Sequence, residues 1–217
     1  MKTDMQLVKD VQEELMWEPA VCATNIGVTA KDGVVTLTGH VASYTEKLTA
    51  EHAAQRVQGV KALAIEMDVQ LNSGDMRTDT EIATAANRAL EWNVAIPAGR
   101  VQVTVEKGHI TLTGDVEWGY QREAAVRALR ELRGVVGVFS QVSVKPHISP
   151  IDVQKSIEGA LARQAEREAK HLKIQVNGSQ VTLHGTVHSW AERHAAVGAA
   201  WSAPGVSTVV DDLEIAS

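Results

Sequence analysis

Few residues in this chain stand at spacings that chemistry would require. His184 and His188 are four apart, the separation that sets two imidazoles on one helix face for a metal ion. Here they flank Gly185 at the end of an alternating Val-Thr-Leu run, and along a strand that spacing spans ~13 Å. Surface or turn histidines are expected, with no metal site. Glu13-Glu14 and Asp211-Asp212 are sequence neighbours. Their carboxylates point in different directions, which suits solvated surface. Gly114 and Gly119 have the spacing of a phosphate loop but lack its lysine. The sequence contains no G-x-S-x-G, C-x-x-C or H-E-x-x-H and no acidic loop of calcium-binding spacing. Cys22, the single cysteine, has no evident activating neighbour and reads as a small buried hydrophobe rather than a reactive thiol. Nothing here points to an enzyme or a cofactor. A potassium site made of backbone carbonyls would leave no trace in a sequence, so a cation sensor stays open.

One cluster does stand out. Arg122, Arg127, Arg130 and Arg133 fall within ~140° of arc if the segment is helical, roughly opposite an apolar face of Ala125, Ala128, Leu129 and Leu132. Glu123 lies inside the arc and Glu131 at its edge. Trp118 and Tyr120 open the segment. Basic side chains beside interfacial aromatics suit an anionic headgroup surface or another anionic partner. The alternative is a solvated helix face laced with ion pairs such as Glu123–Arg127.

The elements that must hold this cluster repeat three times. Val35-Thr36-Leu37-Thr38-Gly39, Ile110-Thr111-Leu112-Thr113-Gly114 and Val181-Thr182-Leu183-His184-Gly185 share one signature, and their closing glycines lie 75 and 71 residues apart. A second glycine follows each by 20 residues: Gly59, Gly134 and Gly205. Counting back from each closing glycine, steps of four mark a helix face: Leu7, Val11, Leu15; Ile82, Ala86, Leu90; Val153, Ile157, Leu161. Asp4 and Asp79 are expected to cap the first two of these helices, and Ser149-Pro150 the third. Steps of two then mark a strand, a Gly-containing turn follows, and the signature is the second strand. A second helix with Ala-rich core positions ends near the second glycine, which is placed for a left-handed cap. A third strand closes the unit.

Each repeat therefore reads α-β-β-α-β. The fold is α+β: three tandem units over 1–72, 76–145 and 149–217, each a small three-stranded mixed sheet with two helices on one face. Gly39, Gly59, Gly114, Gly134, Gly185 and Gly205 are structural glycines. Whether the units stand in a line or close into a pseudo-threefold cluster is open. Trp17 and Trp92 recur at one position and are expected to pack. Trp201 falls where the other repeats carry Gln55 and Arg130, on the polar side of a helix, so it is expected to seal an inter-repeat or inter-subunit contact. Proline-free Ala162 to Lys170 suggests a longer first helix in repeat three.

Composition sets the outer limits. Of 217 residues 44% are hydrophobic and 22% charged, and the net charge is −6. That excludes a disordered chain and argues against general nucleic-acid binding. No apolar run approaches the ~20 residues of a membrane span. With no apolar leader visible and one cysteine, the sequence reads as cytoplasmic, or as periplasmic if a signal has been removed.

The V-T-L-x-G signature, with a Gly-Val pair 20 residues on (Gly59-Val60, Gly134-Val135, Gly205-Val206), resembles the BON (bacterial OsmY and nodulation) domain, and the resemblance covers nearly the whole chain. It implies a bacterial, transport-associated, non-enzymatic module linked to osmotic stress, envelope maintenance and anionic phospholipid binding. One relative of that family binds potassium. The expected partners are thus an anionic membrane surface, a protein partner or a second copy of the chain. The alternative is a soluble scaffold or potassium sensor acting through protein contacts.

Overall fold

The computed structural model describes residues 2–145, 157, 172–203 and 205–216. Repeat 1 runs α1 (Asp4–Trp17), a 3-10 turn (Ala23–Asn25), β1 (Ile26–Lys31), β2 (Val34–Val41), α2 (Tyr44–Arg56) and β3 (Ala62–Val69). Repeat 2 runs α3 (Asp79–Glu91), β4 (Val101–Glu106), β5 (His109–Val116), α4 (Gly119–Arg130), then β6 (Gly137–Ser140) and β7 (Ser143–Val144). Repeat 3 contributes β8 (Leu172–Asn177), β9 (Gln180–Val187), α5 (Trp190–Ser202) and β10 (Thr208–Ile215). The fold is α+β with three separate mixed sheets.

In each sheet the signature strand is central. It pairs antiparallel with the strand before it and parallel with the strand after the crossover helix. The parallel partner lies 28 residues on in every repeat, as in Val34 with Ala62, His109 with Gly137 and Gln180 with Thr208. The third strand of repeat 2 is broken between β6 and β7, yet Leu112 with Ser140 and Asp115 with Ser143 keep that offset. The break is therefore a local parting of the strands with no slip in register.

Alternation along the central strand buries Val35, Leu37 and Val41, then Ile110, Leu112 and Val116, then Val181, Leu183 and Val187. The first-helix faces Leu7, Val11, Leu15 and Ile82, Ala86, Leu90 close the first two cores, and Ile157 is buried at the matching place in the third. Val153, Leu161, the Ser149-Pro150 cap and the longer helix over 162–170 lie outside the described residues. Full burial of each Leu or Ile contributes roughly 1.5–3 kcal/mol. A ~70-residue unit has little core to spare, so contacts between units matter. Alanines at 50, 53 and 54 and at 196, 199, 200 and 203 bring the crossover helices close to their sheets. In α4 Val126 is buried beside Ala125 and Leu129.

The signature glycine is required by a close approach. Gly39 and Gly114 have φ of 116° and 120°. A Cβ there would collide with the carbonyl oxygen of Asn25 or Arg100 at the entry to the first strand. Both features exclude an L side chain.

Three expectations need correcting. The first-helix N-caps are Thr3 and Thr78, each in a reciprocal capping box with Gln6 or Glu81. Asp4 and Asp79, one residue further in, reach instead to the hairpin turn. Asp4 accepts from the Asp32 and Gly33 amides (3.0 and 3.3 Å), Asp79 from those of Lys107 and Gly108 (2.8 and 2.9 Å). Gly59, Gly134 and Gly205 do not cap the second helices, whose C-cap residues are Val57, Glu131 and Ala203. Their positive φ serves the hydrogen-bonded turn that follows, closed by Val60 to Val57, Val135 to Leu132 and Val206 to Ala203. Trp17 and Trp92 do not pack. They are 82% and 87% exposed, because each lies past the last buried turn of its helix.

The units form a closed cluster. Their crossover helices α2, α4 and α5 meet one another: α5 touches both α2 and α4, while Thr45 Oγ1 donates to the Arg130 carbonyl at 3.2 Å and Tyr44 packs against the core of repeat 2.

Candidate anionic-partner face

The arginine segment is α4. Four residues past the signature glycine the repeats carry Ser43, Trp118 and Ser189. Ser43 and Ser189 cap their helices, each Oγ accepting from the N–H three residues on (3.0 and 3.2 Å). An indole offers no acceptor oxygen. In α4 the Gln121 N–H turns instead to the Trp118 carbonyl at 3.1 Å, and the buried Gln121 Oε1 accepts from the Glu117 and Trp118 amides, both at 3.0 Å. Glu46 occupies the same position in α2 and accepts from Cys22 and Ala42. With its helix end satisfied in this way, Trp118 is free to line the surface.

The structure divides the arginines. Arg122 lies over the Trp201 ring, 4.2 Å from its centroid, with Nη2 3.3 Å from Glu123. Its counterparts turn inward to their own third strands: Lys47 Nζ donates to the Met67 carbonyl at 2.6 Å, and Arg193 pairs with Asp211 at 2.8 Å. Arg130 is half-buried at the contact with repeat 1, and its Nε is enclosed without a hydrogen-bond partner. Arg133 lies beyond the end of α4, in the turn before Gly134, with Nε 3.8 Å from Asp75. It therefore does not share the helix face that the arc assigned to it. Arg127 is exposed, and no carboxylate pairs with it among the described residues. Tyr120 is exposed and Trp118 half-buried.

Trp201 reaches from α5 to Gly119 at the start of α4. A Cβ on Gly119 would stand 2.9 Å from the indole, and Trp201 packs on the cores of both repeats 2 and 3. Around this contact runs a groove of about 1000 Å³ between α4 and α5, which gathers Trp118, Tyr120, Arg122, Arg127 and Trp201 with His194. Sequence reasoning did not find Gly119 or His194. The signal for Gly119 was present: the equivalent positions hold Tyr44 and Trp190.

The other candidates are apart from this face. Cys22 is exposed, correcting the buried reading. Glu46 holds its backbone N–H while the thiol turns outward to Thr24. Asp211 is no freely solvated carboxylate, since Arg193 engages it, and Asp212 lies 3.4 Å from His184. Among the described residues no three His, Cys, Asp or Glu side chains gather as a metal site, and no helix is long and apolar enough to cross a membrane. Among the described residues two groups are displaced from ordinary titration. Glu81 is held below the usual glutamate range by the Thr78 amide and then the Thr78 hydroxyl. Arg56 is raised by its hydrogen bonds to Glu14 and Glu18.

The BON domain family model matches residues 3–70, 78–146 and 152–217. The chain is similar to the osmotically-inducible protein Y of Escherichia coli strain K12, with 28% identity over 189 residues that cover 83% of this chain and 92% of that protein. Among solved structures, CdsD, a structural protein of the type III secretion system of Chlamydia trachomatis, aligns at 15% identity over 97% of this chain and 92% of that one, with a TM-score of 0.27. The PrgH periplasmic domain aligns at 11% identity over 94% and 99%, with a TM-score of 0.24. Scores this low do not relate the arrangement of the three units to either structure.

Proposed function

The chain belongs to the BON domain family, and on that premise we propose that it is a stress-associated, non-enzymatic binding module that engages anionic phospholipid surfaces at the cell envelope. The observation that carries this reading is Arg127. It stands exposed with no carboxylate partner among the described residues, on a chain of net charge −6, with Tyr120 and Trp118 beside it. A lone unneutralised guanidinium flanked by amphipathic rings suits the headgroup layer, where aromatics take the interface and the cation meets phosphate. Co-flotation with anionic and zwitterionic vesicles at low and high salt tests it. Flotation that needs anionic lipid and fades with salt is expected. Absence of flotation at low salt would contradict it.

A second reading, a scaffold acting through protein contacts or self-association, is favoured by Trp17 and Trp92, bare at one place in two repeats. Sedimentation of the full chain and of a Trp17→Ala, Trp92→Ala variant separates the two. Self-association lost in the variant, with vesicle binding absent from both proteins, would select the scaffold.

A further inference from the structure

The groove between α4 and α5 surrounds one substitution among equivalent positions. Where repeats 1 and 3 begin the crossover helix with Tyr44 and Trp190, repeat 2 begins it with Gly119. Trp201 enters from repeat 3 to cover the bare backbone, and what remains open is a groove of about 1000 Å³. That lies at the upper end of the range for small-molecule sites, roughly 300–1,000 Å³.

The charge inside the groove is uneven. Arg122 and Glu123 answer each other, and the Arg122 guanidinium is also laid on the Trp201 ring. That leaves Arg127 uncompensated at one side, with His194 as the other ionisable group. Trp118, Tyr120 and Trp201 supply carbon-rich walls. Both walls are helices, whose interior N–H and C=O groups are spent on their own ladders. An extended peptide would find no main-chain partners there. The best complement has one anionic head for Arg127, a slim apolar body for the rings and no other polar demand.

We infer that this groove is a binding site for a single-chain anionic amphiphile, one acyl tail carrying a phosphate head. The site takes one molecule at the junction of repeats 2 and 3. The inference rests on the anionic-lipid reading and names the molecule that the same face accepts one at a time, outside a bilayer.

The test is a titration of the full chain with monomeric dodecyl phosphate, below micelle formation, followed by NMR of the indole N–H signals. The chain has five tryptophans, assigned by single Trp→Phe variants. The Trp118 and Trp201 signals are expected to move along one saturable curve while those of Trp17 and Trp92 stay in place. Arg127→Glu, at an exposed site where the fold is not at stake, is expected to weaken binding by at least about tenfold, the scale of a lost charge-assisted hydrogen bond. Non-saturating shifts of all the indoles would overturn the proposal, as would equal shifts with uncharged dodecyl maltoside. So would wild-type affinity in Arg127→Glu. Vesicle flotation runs separately. Saturable indole shifts without flotation leave the groove standing and remove the bilayer surface; flotation with unmoved Trp118 and Trp201 does the reverse.

Discussion

At the junction of repeats 1 and 2, Tyr44 stands at the start of α2 and packs on the core of repeat 2, and Thr45 binds the Arg130 carbonyl. At the junction of repeats 2 and 3 the same positions are exchanged in size. Gly119 takes the place of Tyr44, Trp201 the place of Arg130, and Tyr120 the place of Thr45. The large side chain now comes from the other helix. Both junctions cover helix with helix, and the second carries a groove edged with Arg127 and Tyr120. The lesson is that a repeat can keep its fold and change its surface by moving one aromatic across an interface. Neither change touches the residues that define the α-β-β-α-β unit.

The largest expected effect tests which junction holds more of the cluster together. Trp201 packs on two cores and carries Arg122 over its ring, whereas Tyr44 packs on the core of repeat 2. Trp201→Ala should cost about 3 kcal/mol and Tyr44→Ala about half that, by denaturant unfolding. Equal losses, or a larger loss for Tyr44, would overturn the ranking of the junctions.

A smaller effect distinguishes repeats within their own walls. Asp79→Ala removes two hydrogen bonds to the Lys107-Gly108 turn and should cost about 1.5 kcal/mol. Hydrogen exchange should speed up at those two amides and not at the Asp32-Gly33 turn, which Asp4 holds. Unchanged exchange at Lys107 and Gly108 would show that the turn stands without the carboxylate.

The smallest effect is one of acid. The first-helix cap of repeat 1 uses Gln6, that of repeat 2 Glu81. Glu81 titrates below its ordinary range because the Thr78 amide and hydroxyl favour the carboxylate. A depressed acid adds stability above its unfolded pKa, about 4.3, and loses it as pH falls through the lower folded value. Amides in the first turn of α3 should therefore lose protection, relative to the unfolded chain at the same pH, below about pH 4, while those of α1 are unaffected by this route. Glu81→Gln should remove the difference between the two caps, and a difference that survives it must have another origin.

The unit was legible because its signals are periodic and occur three times. Steps of four at Leu7, Val11 and Leu15, and alternation at Val35 and Leu37, report burial directly. Less local features were read one residue out of place. Asp4 and Asp79 looked like caps because a carboxylate near a helix start fits that role, but their partners lie 28 and 29 residues on, in the hairpin turn. The position in repeat 3 is Pro150, a warning that capping was not the shared function. The face on α4 was legible as a set of residue types and not as a surface. An arc of four arginines treats the helix as isolated, but Arg122 lies on the Trp201 ring of repeat 3 and the Arg130 Nε is enclosed where its carbonyl meets Thr45 of repeat 1, contacts that no helical wheel contains. Trp17 and Trp92 failed for a related reason: recurrence marks a shared position, but both lie past the last buried turn.

Anion binding at the junction of repeats 2 and 3 is the proposal most open to a direct test. The most direct measurement is anionic-vesicle co-flotation at low salt of three proteins: wild type, Arg127→Gln, and His52→Glu. His52 holds the same place on α2 and is exposed there. Both substitutions shift the charge by one unit in the same direction. Arg127→Gln should weaken flotation about fivefold, the worth of one basic residue at an anionic surface, while His52→Glu leaves it at the wild-type level. Equal weakening by both would mean that the net charge of the chain, and not this face, governs the binding.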